Sequence, residues 1–319
     1  MVSQLASNLL QLYVFILVGF VAGRALSGHG EAVSRAFSVV QIYAVVPLQM
    51  FLIINTSTFP VDAGFIAQVV ALEVGSVVLL MGTTRAHLSG RVDDKKRVGT
   101  YLLLNSFPNA MLYPLPIVLA FFGDQYLIVL ALFSASALVL RGTLGTWVCE
   151  KLGADVHLSL KQTAWRLVTF PPVVGLLVGA SVKASGVHLP VDALSTVKAP
   201  LNAVSTVGGA ALIGLILSSV SIGEVREFWS HVRRVAAWRF GLALAYAATL
   251  LPFTRFSVGQ TETRTILLLV LVGPPAVFNV TFSVYFDLDA KLAAVSVAAL
   301  TVVALGVMPV VILAGTRLL

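Results

Sequence analysis

Ten stretches of this 319-residue chain run for about twenty residues with few or no charges. A helix needs about 20 apolar residues to cross the hydrocarbon core of a bilayer. In lipid every backbone N–H and C=O must find a partner inside the segment, so such stretches fold as helices rather than open strands. They fall near Leu5–Leu26, Ala32–Asn55, Ala63–Thr84, Val98–Gly123, Tyr126–Val148, Ala164–Lys183, Val191–Val220, Val235–Leu251, Arg264–Phe286 and Lys291–Ala314. Only short connections remain, with no room for a folded soluble domain. The expected fold is an all-α polytopic membrane protein with ten transmembrane helices. Met1–Asn8 has no basic residue ahead of the first apolar run, so that run is expected to be a retained span rather than a signal peptide.

Only 11% of the residues are charged, against about 25% in a soluble domain. That excludes an ordinary cytosolic enzyme, a disordered chain and a small secreted scaffold. The single cysteine, Cys149, excludes an internal disulfide and a thiolate metal cluster. No nucleophile–base set and no metal-binding motif occurs within the spans. The chain is therefore not expected to be an enzyme or to carry a cofactor or metal. The net charge of +7 would suggest a polyanion partner in a soluble protein. Here its distribution points to membrane lipid and to topology, and no nucleic-acid partner is expected.

The odd-numbered connections hold Arg24, Arg35, Arg85, Arg91, Lys95, Lys96, Arg97, Lys151, Lys161, Arg166, Arg226, Arg233, Arg234 and Lys291. The even-numbered ones and the C-terminal end hold only Lys183, Arg255, Arg264 and Arg317. Positive loops stay in the cytoplasm, so the odd connections face inward. A multi-pass protein of the cell membrane is expected, with both termini extracytoplasmic.

Residues 1–149 hold five spans, 150–163 form a short polar cytoplasmic linker, and 164–319 hold five more. An odd number per half inserts the second half upside down, the geometry of two inverted five-helix repeats. Proline placement carries that reading. Pro108 lies near the middle of the fourth span, and Pro274 and Pro275 near the middle of the ninth. Each proline removes a helical hydrogen bond, which is tolerated at membrane depth only inside protein or along a watery cavity. Helices four and nine are thus expected to be broken. Half-helices starting at Pro108 and Pro275 would present free N–H groups and a positive dipole end, attractive to carboxylates. Asn109 follows the first break, Asn105 precedes it, and Asn279 lies four residues past the second. An amide donates to a carboxylate without carrying charge. The candidate substrate site is therefore Asn105, Pro108, Asn109, Pro274, Pro275 and Asn279.

Glu73 sits near the middle of the third span, where an unpaired carboxylate is costly, and is a candidate for proton or cation coupling. Arg141 in the fifth span is its potential partner or a second anion anchor, with snorkelling to the cytoplasm as the alternative. Asp287 and Asp289 are expected to cap the last helix.

The stretches Phe107-Pro-Asn-Ala-Met-Leu-Tyr-Pro-Leu-Pro116 and Pro275-Ala-Val-Phe-Asn279 resemble the auxin efflux carrier family, which includes the PIN-formed exporters. That family belongs to the wider group of bile-acid, arsenite and riboflavin transporter-type proteins. Weaker echoes are Leu17-Val-Gly-Phe-Val-Ala-Gly-Arg24, Val46-Pro47-Leu48 and Pro171-Pro-Val-Val-Gly175. Pro114 departs from the glycine common there, and the long hydrophilic loop of the plant exporters is absent. The resemblance implies two inverted repeats with crossover helices four and nine, and a homodimer. It also implies a scaffold of helices one, two, six and seven beside a moving transport domain. Asn109 and Asn279 would contact the carboxylate of a small organic anion, exported by elevator-type alternating access. Alternatives are a sodium- or proton-coupled symporter of the bile-acid-transporter type and, less favoured, a channel.

Overall fold

The computed structural model describes residues 2–26, 30–56, 59–153, 161–162, 165, 168–187, 190–257 and 259–318. Among these residues the chain is all-helical, with no strand beyond one isolated bridge. The helices are α1 (Val2–Ala25), α2 (Gly30–Val40), α3 (Val46–Thr56), α4 (Ala63–Leu88), α5 (Lys95–Ser106), α6 (Pro114–Phe121), α7 (Leu127–Leu140) and α8 (Thr146–Leu152). They continue as α9 (Pro171–Ala184), α10 (Val191–Ser218), α11 (Ile222–Glu227), α12 (Trp229–Ala236), α13 (Ala243–Leu250), α14 (Gln260–Leu271), α15 (Phe278–Tyr285) and α16 (Ala290–Leu318).

Seven continuous helical runs among the described residues are long and apolar enough to cross a membrane. These are Ser7–Ala25, Ala32–Thr56, Ala63–Leu88, Asp124–Leu152, Thr196–Ser218, Trp229–Phe253 and Ala290–Thr316. Pro171–Ala184 is an apolar helix of shorter length. The remaining two apolar stretches are interrupted, α5 giving way to α6 and α14 to α15. The linker at 150–163 lies largely outside the described residues.

Contacts divide the chain into two compact units, each taking segments from both halves of the sequence. The first comprises Met1–Val61, Met111–Ala131 and Trp165–Ser219, and the second Asp62–Ala110, Leu132–Ala164 and Val220–Leu319. In the first unit small residues let helices approach backbone to backbone. A Cβ on Gly19 would stand 2.0 Å from the Ala211 carbonyl oxygen, and one on Gly214 2.0 Å from that of Ile16, so α1 lies flush on α10. Gly175 brings α9 onto α3 in the same way, 2.1 Å from the Pro47 carbonyl oxygen. A polar chain joins Lys198 to Asp124 (2.8 Å), Asp124 to the Asn202 amide, and Asn202 to Gln49.

The second unit wraps two of its helices completely. Every residue of α5 from Val98 to Ser106 is buried, as is every residue of α14 from Thr263 to Leu271. Leu102, Leu104, Val148, Val235, Leu292 and Leu300 form the core around them. Asp289 caps α16, accepting from the Leu292 N–H at 2.9 Å, and also binds Arg97 at 3.2 Å. Asp287, expected to share that capping, instead has a left-handed backbone (φ 52°) and pairs with Lys96.

Three helical runs contain a π-turn: Gln41–Val45, Arg141–Gly145 and Ala237–Leu242. Each carries a buried polar side chain, Gln41, Arg141 and Arg239 respectively. The extra residue in such a turn rotates the helix face, which is how a long polar side chain in an apolar run is aimed inward.

Candidate functional site at the crossing of two broken helices

The site grows from two chain interruptions within the second unit. Pro108 cannot donate to a helical carbonyl, and its ring pushes the preceding residue out of the α region. Phe107 accordingly takes extended angles (φ −110°, ψ 102°) and ends α5. In the ninth stretch, α14 ends at Leu271, and Gly273, Pro274 and Pro275 carry the chain across. The two interruptions meet. Pro108 and Pro275 form an antiparallel bridge, with the Asn109 N–H donating to the Pro274 carbonyl (2.8 Å) and the Ala276 N–H to the Phe107 carbonyl (3.0 Å). In this pairing the facing residues are the non-hydrogen-bonded pair, whose own N–H groups take no part. Proline, which has none, fits both positions.

This arrangement corrects the expected helix starts. The second half-helices begin at Pro114 and Phe278, not at Pro108 and Pro275. The N–H groups just after the prolines are engaged in the bridge rather than free. Further on, the Asn279 and Val280 N–H groups donate to the carbonyls of Ala276 and Val277, and that of Leu115 to Met111. The breaks therefore do not place free N–H groups directly after Pro108 and Pro275.

The two asparagines differ in what they do. The Asn279 side chain is fully buried, and its amide nitrogen donates to the carbonyls of Leu103 and Phe107, both at 3.1 Å. It staples α15 to the end of α5, and its Oδ1 stays buried without a partner. Asn109 lies in the bridge itself and is 7% exposed. Asn105 donates from its amide to the Thr84 hydroxyl at 3.0 Å, leaving its own Oδ1 unpartnered.

Arg239 is the residue whose role the sequence conceals. It is buried, and its guanidinium donates to the Asn105 carbonyl (2.9 Å), the Gly273 carbonyl (3.0 Å) and the Leu271 carbonyl. One side chain thereby caps the C-terminal ends of both α5 and α14. Each helix end carries about half a negative charge, so a cation shared between two of them is well placed. Arg239 lies within the eighth apolar stretch, but its partners are main-chain atoms and carry no residue signature.

Arg141 does not snorkel. It is 6% exposed, with its guanidinium 5.2 Å from the centre of the Phe107 ring and 5.8 Å from that of Phe278. Its Nε is buried without a partner. Gly145 makes room, since a Cβ there would come within 3.1 Å of the Phe107 ring. Phe107 ends α5 and Phe278 begins α15, so this cation is held by aromatic faces at the crossing. Glu73 is fully buried and interacts electrostatically with both Arg239 and Arg141, although neither arginine reaches salt-bridge distance. The Ser76 hydroxyl lies 3.4 Å from its Oε2, and its Oε1 has no partner.

Among the described residues no cluster of three or more His, Cys, Asp or Glu side chains could hold a metal ion. No protein-family model matches the chain, and no curated protein matches it. Fold and composition define an all-helical chain of membrane-protein type, whose second unit holds the bridge between two helix breaks.

Proposed function

We propose that this protein is a secondary transporter of a small organic anion, with the crossing of the fourth and ninth spans as its binding site. In this reading the chain crosses the membrane ten times as two inverted five-helix repeats, with both termini outside. The observation that carries it is the bridged pair of broken helices with a buried, aromatic-held arginine beside it. Interrupted helices at membrane depth are a costly construction and commonly mark a solute site. A guanidinium offers planar, paired donors to a carboxylate. Asn109 is the amide at the edge of the bridge that would complete the site.

Elevator-type alternating access is part of the proposal. Its support is that the first, second, sixth and seventh apolar stretches group in one unit, together with Met111–Ala131, while the bridged prolines 108 and 275 lie in the other. A homodimer and outward transport complete the picture, on the family resemblance alone. The two arginines near Glu73 count against a sodium-coupled symporter, because they raise the cost of a bound cation.

A thermal-shift screen of the purified full chain against acetate, benzoate and phenylacetate tests this reading, with and without sodium and at two pH values. A ligand that binds the native state raises apparent stability. The expected result is a rise with carboxylates that chloride at equal ionic strength does not reproduce and sodium does not enhance. A flat response to all three carboxylates would overturn the assignment.

A further inference from the structure

Apart from Arg264, which donates to the carbonyls of Pro252 and Thr254, the buried charges of the second unit form two balanced sets. Arg239 donates to carbonyls at the ends of α5 and α14, and two helix ends together carry about one negative charge. The backbone therefore neutralises Arg239. What remains is Glu73 and Arg141, one charge of each sign, both buried and not in direct contact.

From this balance we propose that Glu73 takes up one proton for each carboxylate that docks on Arg141, so that anion and proton are bound together. The proposal rests on the anion-transporter reading. Glu73 feels both Arg239 and Arg141. With Arg239 already serving the helix-end carbonyls, a carboxylate on Arg141 neutralises the other cation and leaves an excess negative charge in a water-poor interior. A proton from water relieves it by adding to Oε1, the oxygen of Glu73 that has no partner. With Glu73 ionised and no anion bound, or with Glu73 neutral and the anion bound, the set is balanced; the other two states are not.

The groups around Glu73 leave no rival for this role. Its own helix supplies Ser76, the eighth stretch supplies Arg239 and Tyr246, and the fifth supplies Arg141. The Tyr246 hydroxyl is engaged as a donor to the Leu72 carbonyl at 2.8 Å. In α5 the titratable side chain within the buried run is Tyr101, hydrogen-bonded to His231. In α14, Arg264 donates to the carbonyls of Pro252 and Thr254.

Isothermal titration of the full chain with phenylacetate, in two buffers of different ionisation enthalpy, reads the coupling directly. The expected result is uptake of about one proton per phenylacetate, with affinity falling about tenfold per pH unit once Glu73 is ionised in the empty protein. Glu73→Gln should bind phenylacetate with no uptake and an affinity independent of pH. Glu73→Asp should keep the uptake, and serves as the informative variant if Glu73→Gln fails to fold. Arg141→Gln should lose binding. Phenylacetate binding to the wild type without proton uptake overturns the coupling and leaves the transporter reading intact. Uptake that persists in Glu73→Gln, or binding that persists in Arg141→Gln, overturns it as well. No binding of acetate, benzoate or phenylacetate to the wild type overturns both.

Discussion

The two interruptions look alike in sequence and behave differently in structure. Each places a proline in the bridge, yet the first keeps its asparagine inside the bridge while the second sets it at the second residue of α15. Asn279 then reaches back to the carbonyls of Leu103 and Phe107, at the end of the other broken helix. The second break thus ties the crossing together through its asparagine side chain, whereas the first does so through the main chain of its asparagine. Two interruptions with the same residues need not use them alike.

The sharpest test of the crossing as a frame is Arg239, which ties both breaks from outside. Arg239→Leu removes a charged donor from carbonyls at two buried helix ends. A loss of about 3–5 kcal/mol is expected, read as a fall in Tm and in the folded fraction by size-exclusion chromatography. An Arg239→Leu protein as stable as wild type would break the picture of a shared cap.

Asn279→Ala comes next. It deletes two hydrogen bonds, but the Leu103 and Phe107 carbonyls keep the N–H groups of Phe107 and Ala276. About 1–2 kcal/mol of stability should be lost, visible in thermal melts without ligand. Asn109→Ala should weaken phenylacetate binding by more than about tenfold. Unchanged phenylacetate affinity in Asn109→Ala would erase the distinction between frame and binding edge.

The smallest effect belongs to a site far along the chain from both breaks. Ser221 and Glu224 form a capping box at the start of α11, with the Ser221 N–H and hydroxyl both donating to the Glu224 carboxylate. Those bonds hold the Glu224 pKa below its usual value. The linked stability is therefore present above the ordinary glutamate pKa and is lost as pH falls through the depressed one. Glu224→Gln should remove this acid-range dependence of Tm while leaving ligand binding at neutral pH untouched. A change in phenylacetate affinity would show that α11 influences the crossing.

Much of the fold was legible because lipid imposes a coarse rule: long apolar runs, charges between them. The prolines at 108 and 275 were legible for a related reason, since a missing N–H at membrane depth must be accommodated. What followed from them was not legible. Which carbonyl meets which N–H across the bridge depends on main-chain geometry that side-chain identity does not encode. Hence the half-helices were expected six and three residues too early, at Pro108 rather than Pro114 and at Pro275 rather than Phe278. Arg239 and Arg141 both lie within apolar runs and at π-turns, yet one reaches backbone carbonyls and the other aromatic rings, a difference that residue type does not encode.

The proline bridge also restricts the registry of the crossing. A slip of a single residue in one direction would require an N–H from Pro108 or Pro275, so that alignment cannot form the same pair of bonds. With the Asn279 and Arg239 bonds spanning the same two helices, parting them means breaking all of these bonds together. The two interruptions are thereby held as one part of the fold, and it is the segments entering and leaving them that carry fewer such ties.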